Sequence, residues 1–415
     1  MTAQTLLEAL RAAVAFEPAA ERVGNLTLGH GTLDGREVHV ALVENFIASG
    51  SLGAAEDERL GAMFERTARD RAPLVLYIDS VGARVSEGLR ALGGFRALYR
   101  SGLAAALSGA PIAAVLGRNC YGGASMLAHL ARERLFGRDT QLAMSGPAVI
   151  AASSGLDALD PSFRAMAQAT FAQASRARAS SANAAWNSGD DLAAWLRKAL
   201  ARGDDAASFR ERHARLRERF DPAAAETAWK PARRPELDRL YTTHEVRQCD
   251  GVIEGHGERG GVREAFVGCV DNLPVSSARA WRFADIAWRH TDAPPPRLQV
   301  YLDSASHAAR LDEEQRILSE YIVDMAAALA ALERRGTQVG LTITGRAGGG
   351  VYVALAAPAR RVATVHGTAR IEVLPGMAVA AILGESRDDT PSFSDYRTAG
   401  VAEDELRLGI VPPSP

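Results

Sequence analysis

Laid against itself, the 415-residue chain repeats. Gly29-His30-Gly31 returns as Gly255-His256-Gly257, 226 residues later. An apolar run that ends in acid then serine, Leu74 to Asp79-Ser80, returns as Leu298 to Asp303-Ser304, an offset of 224. Gly117-Arg118 with the glycine pair Gly122-Gly123 returns as Gly345-Arg346 with Gly348-Gly349-Gly350, an offset of 228. Landmarks that hold so nearly one spacing mark a duplicated structural unit. Each copy reads as short strands around Gly-His-Gly, a helix, a strand to Asp-Ser, a long helix (87–108 and 313–335), a strand (111–116 and 339–344), and a glycine turn that opens another helix. The fold class is therefore α/β, with two tandem copies related by an approximate two-fold axis. The first copy spans 1–235, with an Ala/Ser-rich helical cover at 151–187. A charged, proline-bearing helix and linker at 203–247 joins it to the second, 236–415, with the boundary near residue 235.

Composition narrows the chemistry. The formal charge of -2 removes the electrostatic reason to expect nucleic acid or an acidic membrane surface as partner. Cys120, Cys249 and Cys269 form neither a disulfide framework nor a metal-binding pair, which suits a reducing cytoplasm and predicts no metal site. Among 48 basic residues only Lys198 and Lys230 are lysines, so no Walker A lysine and no Met-Lys-Met biotin attachment site exist. Residues 1–17 carry Glu8 and Arg11 within an apolar pattern and read as an amphipathic helix rather than a signal peptide. The longest apolar stretch, 103–117, is too short to span a membrane and contains Pro111.

A glycine pair between a strand and a helix lets a ligand approach the backbone and leaves helix-start N–H groups free to face an anion. That is the makeup of an oxyanion hole, here offered twice. Tight turning with close helix packing is the competing use of the same glycines. A side chain at Gly123 is expected to fill the place of a bound ligand's oxygen and to leave the fold largely intact. Asp79 and Asp303, at matching strand ends, are expected to cap the next helix. Arg84 is suited either to hold a carboxylate or phosphate bidentately or to form an ion pair with Glu87.

The local sequences resemble the carboxyltransferase branch of the crotonase superfamily. Asp79-Ser80-Val81-Gly82-Ala83-Arg84-Val85-Ser86-Glu87-Gly88 is similar to that branch's Asp-Ser-Gly-Gly-Ala-Arg motif. Gly122-Gly123-Ala124-Ser125 matches its Gly-Gly-Ala-Ser, and Ser145-Gly146-Pro147-Ala148-Val149-Ile150 its Gly-Pro-x-Val-Ile. Within the branch the chain looks most like the biotin-independent malonate decarboxylase core, with beta-like and gamma-like halves fused. His290-Thr291-Asp292 and Leu374-Pro375-Gly376-Met377-Ala378 carry the gamma likeness. Val81 stands where the family has glycine, Gly348-Gly349-Gly350 stands where a Ser-Gly-Gly turn is usual, and the four-cysteine zinc ribbon of some relatives is missing.

The resemblance implies two crotonase-like (ClpP/crotonase ββα superhelix) domains whose glycine turns face each other across a cleft. The implied activity is decarboxylation of a malonyl thioester, carried on the phosphopantetheine of acyl carrier protein or coenzyme A, with no bound cofactor. Gly122, Gly123, Gly348, Gly349 and Gly350 would hold the enolate, with Tyr121 beside them. Gly82, Ala83, Arg84, Ser125, Arg346 and Met377 would bind substrate. Tyr121, Cys120, His129, Tyr352 and His366 are the candidates for the acid that quenches the carbanion. Other decarboxylase subunits or further copies of the chain are the protein partners it leaves open. The rival readings are carboxyl transfer to an acceptor such as a separate biotin carrier, a crotonase-type hydratase or thioester hydrolase, and a degenerate scaffold subunit.

Overall fold

The computed structural model describes residues 2–187, 189–219, 228–384 and 391–408, the side chains of Met377 and of 381–383 excepted. Each copy starts from a β-hairpin. Leu26–Leu33 pairs with Arg36–Val43 across Asp34 and Gly35 at φ 51° and 76°. Val252–Arg259 pairs with Val262–Cys269 across Gly260 and Gly261 at φ 59° and 75°. Two left-handed residues make the two-residue loop whose twist suits the flanking strands. The Gly-His-Gly segments lie in these hairpins. A Cβ at Gly29 would stand 2.2 Å from Glu17 O, and one at Gly255 2.0 Å from Glu245 O. These glycines let an edge strand approach closely.

Beyond each hairpin the strands run parallel. Arg36–Val43, Leu74–Ser80, Ile112–Tyr121, Glu133–Phe136 and Asn183–Ala185 are successive neighbours in one sheet. Val262–Cys269, Arg297–Leu302, Gln338–Ile343, Arg361–Val365 and Asp404–Leu406 repeat that order in the other. The short strands Gln141–Ala143 and Arg370–Glu372 flank the last residues before each glycine turn. The duplication expected from the spacing is thus present as two parallel-rich, eight-stranded sheets in an α/β fold.

The copies share one core. Leu89–Ala106 of the first packs on Gly349–Ala356 of the second, and their counterparts, Leu318–Arg334 and Gly123–Leu130, pack on each other. Crossed pairing of this kind is what a two-fold relation produces. Phe95, Met126, Met144, Tyr321, Met325 and Tyr352 belong to a single apolar cluster that runs through both copies. On the outer face of the first sheet, Leu6, Leu10 and Leu196 of the helices Ala3–Ala13 and Leu192–Ala199 cover Val40, Val75 and Val115. The expected cover is built from Pro147–Ser154, Pro161–Phe171 and Gln173–Ala179, with Ile150, Phe163 and Phe171 packed around Tyr121. Among the described residues no helix is long and apolar enough to cross a membrane, and no cluster of side chains is arranged to hold a metal.

Three details depart from the sequence pattern. The first long helix starts at Leu89, after Gly88 at φ 60°. The second is broken into Leu311–Gln315 and Leu318–Arg334 by Ile317 at φ 61°. In the short helix before the break, the adjacent carboxylates reach in two directions, Glu313 to Ser277 N–H at 2.7 Å and Glu314 to the first copy. The second sheet begins at Lys230–Pro231, ahead of the boundary expected near 235.

The linker helix Ala206–Arg217 is docked by charge. His213 reaches Asp324 at 2.6 Å and Asp285 at 3.5 Å and stacks on Trp281. Burial opposes its charge, yet the hydrogen bonds to Asp285 and Asp324 outweigh that cost and push its pKa up to about 9. A folded pKa above the unfolded value of about 6.5 gives stability that is complete below that value and is lost as pH rises through about 9. The melting temperature of the protein should therefore fall between pH 7 and 9.5 by more than that of His213→Gln. His213→Ala should cost on the order of 3 kcal/mol at pH 6.5, because it strands the Asp324 carboxylate. Thermal and urea unfolding across that pH range measure both.

Candidate active site at the glycine turns

The residues that aim each turn are a carboxylate and a glycine. Asp79 Oδ1 accepts the N–H of Asn119 at 3.0 Å, and Asp303 Oδ1 that of Arg346 at 2.9 Å. A Cβ at Gly117 would come within 2.4 Å of the Asp79 side chain, and one at Gly345 within 2.1 Å of Asp303. These acids do not cap the following helix, as expected from their position; each pins the next strand where it leaves the sheet. The first copy carries one extra residue there, between Gly117 and Asn119, where the register against Leu74–Ser80 shifts.

Past that pin the chain turns at Gly122 (φ 55°) and Gly349 (φ 54°), a conformation that favours glycine. Gly122 N–H donates to Ala143 O at 3.2 Å and Gly349 N–H to Val373 O at 3.1 Å. The matched pairs are therefore Gly122-Gly123 and Gly349-Gly350, while Gly348 ends the preceding strand. No side chain caps either helix start. The first helical N–H groups, at Gly123 and Ala124 in one copy, have no partner within the helix.

The two turns differ in what stands in front of them. Gly82, at φ 93°, lies so close that a Cβ there would sit 2.7 Å from Gly123 N and 3.4 Å from Ala124 N. Its missing side chain lets this segment pack closely against the first helix start. The equivalent residue in the second copy is Ser306, at φ 126°. Its hydroxyl donates to Gly348 O at 3.3 Å and lies 2.8 Å from the place of a Gly349 Cβ. Gly122 and Gly123 are half-buried, whereas Gly348, Gly349 and Gly350 are buried, with Met144 and Met126 of the first copy against Gly350.

The other sequence candidates are held in structural bonds. Arg84 pairs with Glu56, with Glu87 at 3.0 Å, and with Ser51 O at 2.8 Å, so its guanidinium ties together the segment before the long helix. Ser125 donates to Gly122 O at 2.7 Å. Arg346 bonds Glu372 at 3.1 Å and stays half-exposed. Ala83 bridges to Leu52 beside Gly82, and the side chain of Met377 lies outside the described residues. Of the acid candidates, Tyr121 donates to Gln141 Oε1 at 2.5 Å, and burial raises the pKa values of Tyr121, Cys120 and Tyr352. His129 lies at the opposite end of the Gly123–Leu130 helix, in the wall of a 340 Å³ cavity with Arg134 and Glu320. His366 is exposed against Glu405.

The sequence reading missed the residues that reach the first turn from the second copy. Glu314, fully buried, accepts the N–H groups of Met144 at 3.0 Å and Ser145 at 2.8 Å. Burial raises its pKa to about 7 in spite of Arg176 at 3.6 Å. His307 Nε2 lies 2.7 Å from Ser145 Oγ, and its Nδ1 lies 3.2 Å from Ser306 Oγ. One signal was available in the sequence: Ser306-His307 occupies the position of Gly82-Ala83 in the repeat.

A sequence profile for the family described as "Carboxyl transferase domain" matches residues 5–168, the core of the first copy. The chain is 34% identical, over 31% of its own length and 25% of the relative's, to the propionyl-CoA carboxylase carboxyltransferase subunit of Haloferax mediterranei. It is 30% identical, over 34% and 27%, to the methylmalonyl-CoA carboxyltransferase 12S subunit of Propionibacterium freudenreichii subsp. shermanii. The chain thus spans about a quarter of the length of these curated relatives. Among solved structures, a Pseudomonas malonate decarboxylase hetero-tetramer in complex with malonate aligns with TM-score 0.43 and 22% identity, over 54% of this chain and 91% of that one. The transcarboxylase 12S core aligns with TM-score 0.39 and 16% identity, over 98% and 87%.

One expectation is reversed by this geometry. A Cβ at Gly123 would lie 2.5 Å from the ring of Phe95, in the core and not in an open pocket. Gly123→Val should therefore destabilise the fold by about 1–3 kcal/mol through overpacking. Denaturant unfolding would show the lowered midpoint.

Proposed function

We propose that the chain removes the carboxyl group of a malonyl-class thioester carried on coenzyme A or acyl carrier protein. The observation that carries this reading is the first glycine turn: an uncapped helix start, closely approached only by a residue without a side chain, Gly82, within the segment matched by the carboxyl transferase profile. When the bond between the carboxylate and the α-carbon breaks, carbon dioxide leaves and the electron pair passes into an enolate. Its oxygen needs donors already in place, and the N–H groups at the start of Gly123–Leu130 supply them. Each such donor contributes about 3 kcal/mol in the transition state. Breaking this bond requires no base; a proton must still reach the α-carbon afterwards. The second turn, filled by the Ser306 hydroxyl, serves the site through its neighbours rather than as a second open hole.

A second reading is favoured by the relatives, which are named as carboxyltransferase subunits. The same turn would then hold the enolate while the carboxyl group passes to an acceptor such as a biotin carrier.

Purified protein given malonyl thioester in heavy water, with avidin present, separates the two. Decarboxylation should yield acetyl thioester with deuterium in the methyl group, read by mass. If acetyl product forms only after a biotin carrier is added, the transfer reading holds. If none forms under either condition, this turn is not an enolate site. Gly82→Ala, whose methyl group would stand 2.7 Å from Gly123 N and so displace the turn, should lower turnover at least roughly tenfold, with denaturant unfolding of the same variant separating this from loss of the fold. Ser306 shows that the fold accepts a side chain at the equivalent left-handed position.

A further inference from the structure

Ser145 stands beside the first turn. It follows Gln141–Ala143, the strand that pairs with Asn119–Tyr121, and the neighbouring Met144 O lies 3.9 Å from the place of a Gly122 Cβ. Its position is held by residues more than 160 places away in sequence. Glu314 takes its N–H, and His307 Nε2 lies 2.7 Å from its hydroxyl.

The hydrogen bonds around His307 set its tautomer. Ser306 O–H donates to Gly348 O, which leaves Ser306 Oγ to accept from His307 Nδ1–H at 3.2 Å. Nε2 is then the acceptor, and Ser145 O–H donates to it. Burial lowers the pKa of His307 to about 4, so at neutral pH the imidazole is the free base. A hydroxyl bonded to a base, with the base oriented by a third group, is the arrangement of an activated nucleophile.

We infer that Ser145 and His307 form a nucleophile–base pair, completed only where the two copies meet, which gives the chain a second activity: acyl transfer to Ser145 and hydrolysis of thioesters. In the first half-reaction Ser145 Oγ bonds to the acyl carbon and the carbon–sulfur bond breaks. The hydroxyl proton passes to His307 Nε2 and from there to the departing sulfur. In the second, water adds to the acyl carbon and gives a proton to Nε2; Ser145 Oγ leaves and takes that proton back, releasing the acid. No step uses the carboxyl chemistry proposed above, so either reading can fail without the other.

The test uses p-nitrophenyl acetate, a small acyl donor with a visible leaving group, on the full chain. Intact mass should show one acetyl adduct, and peptide mapping should place it on Ser145. The adduct should vanish in Ser145→Ala, and acylation should slow roughly a hundredfold or more in His307→Gln. Should either variant unfold, Ser145→Cys gives a second measure: its thiol should be alkylated by iodoacetamide faster when His307 is present than in the double variant with His307→Gln. The native cysteines are buried and are told apart by the mapping. An adduct elsewhere, no adduct, or rates indifferent to His307 would overturn the pair.

Discussion

A carboxylate at the end of one strand, bonded to the backbone of the next, determines where the rest of the site can be. Asp79 and Asp303 each accept a backbone N–H just beyond a glycine that has no room for a side chain. The bond is formed in surroundings that raise the pKa of Asp79 by burial, where an unpaired N–H would be costly. It directs the chain out of the sheet at a fixed angle, so the left-handed Gly122 or Gly349 follows and the next helix starts with its N–H groups free. The same acid-and-glycine pair was retained in both copies, whereas the residues in front of the turns were not.

The copies diverge in front of the turns. Gly82 packs on the first helix start without a side chain, and Ser306 places a hydroxyl at the corresponding position in the second. The second turn is in addition covered by Met144 and Met126, which lie against Gly350. With serine in one, the second turn becomes a support from which His307 and Glu314 reach Ser145 on the first. Glu314 lies in the short helix before the break at Ile317.

The interface that brings these parts together is both apolar and ionic. A single cluster spans the copies, and Gly93 is so close to Ala399 O that a Cβ would stand 1.7 Å from it. Around it Arg96 reaches Glu403 at 2.7 Å and Arg134 reaches Glu320 at 3.1 Å, while His213 holds the linker helix to Asp324. Arg96, Arg134 and Asp324 are themselves buried, so these pairs place charge inside the interface, where losing a partner is costly. The relative placement of the copies is thus fixed by pairs whose members lie far apart in the chain.

By itself the sequence determined the duplication, the α/β class, the order of elements in each copy, and the place of both glycine turns. Those features are local, or repeat at one spacing, and each leaves its mark in residue type: left-handed positions need glycine, parallel buried strands need apolar runs, and a helix start follows the turn. What it could not determine is which atoms meet across the two-fold relation. Gly123 is legible as a glycine that something approaches, but whether that is a ligand or the ring of Phe95 depends on packing. Arg84 is legible as a basic residue beside a glycine, and only the folded chain shows it spent on Glu56 and Glu87. His307 and Glu314 lie in ordinary-looking sequence, and they become part of a site only because the second copy, once folded, sets them against Ser145. Such contacts join residues that no periodicity links, so tertiary structure alone decided them.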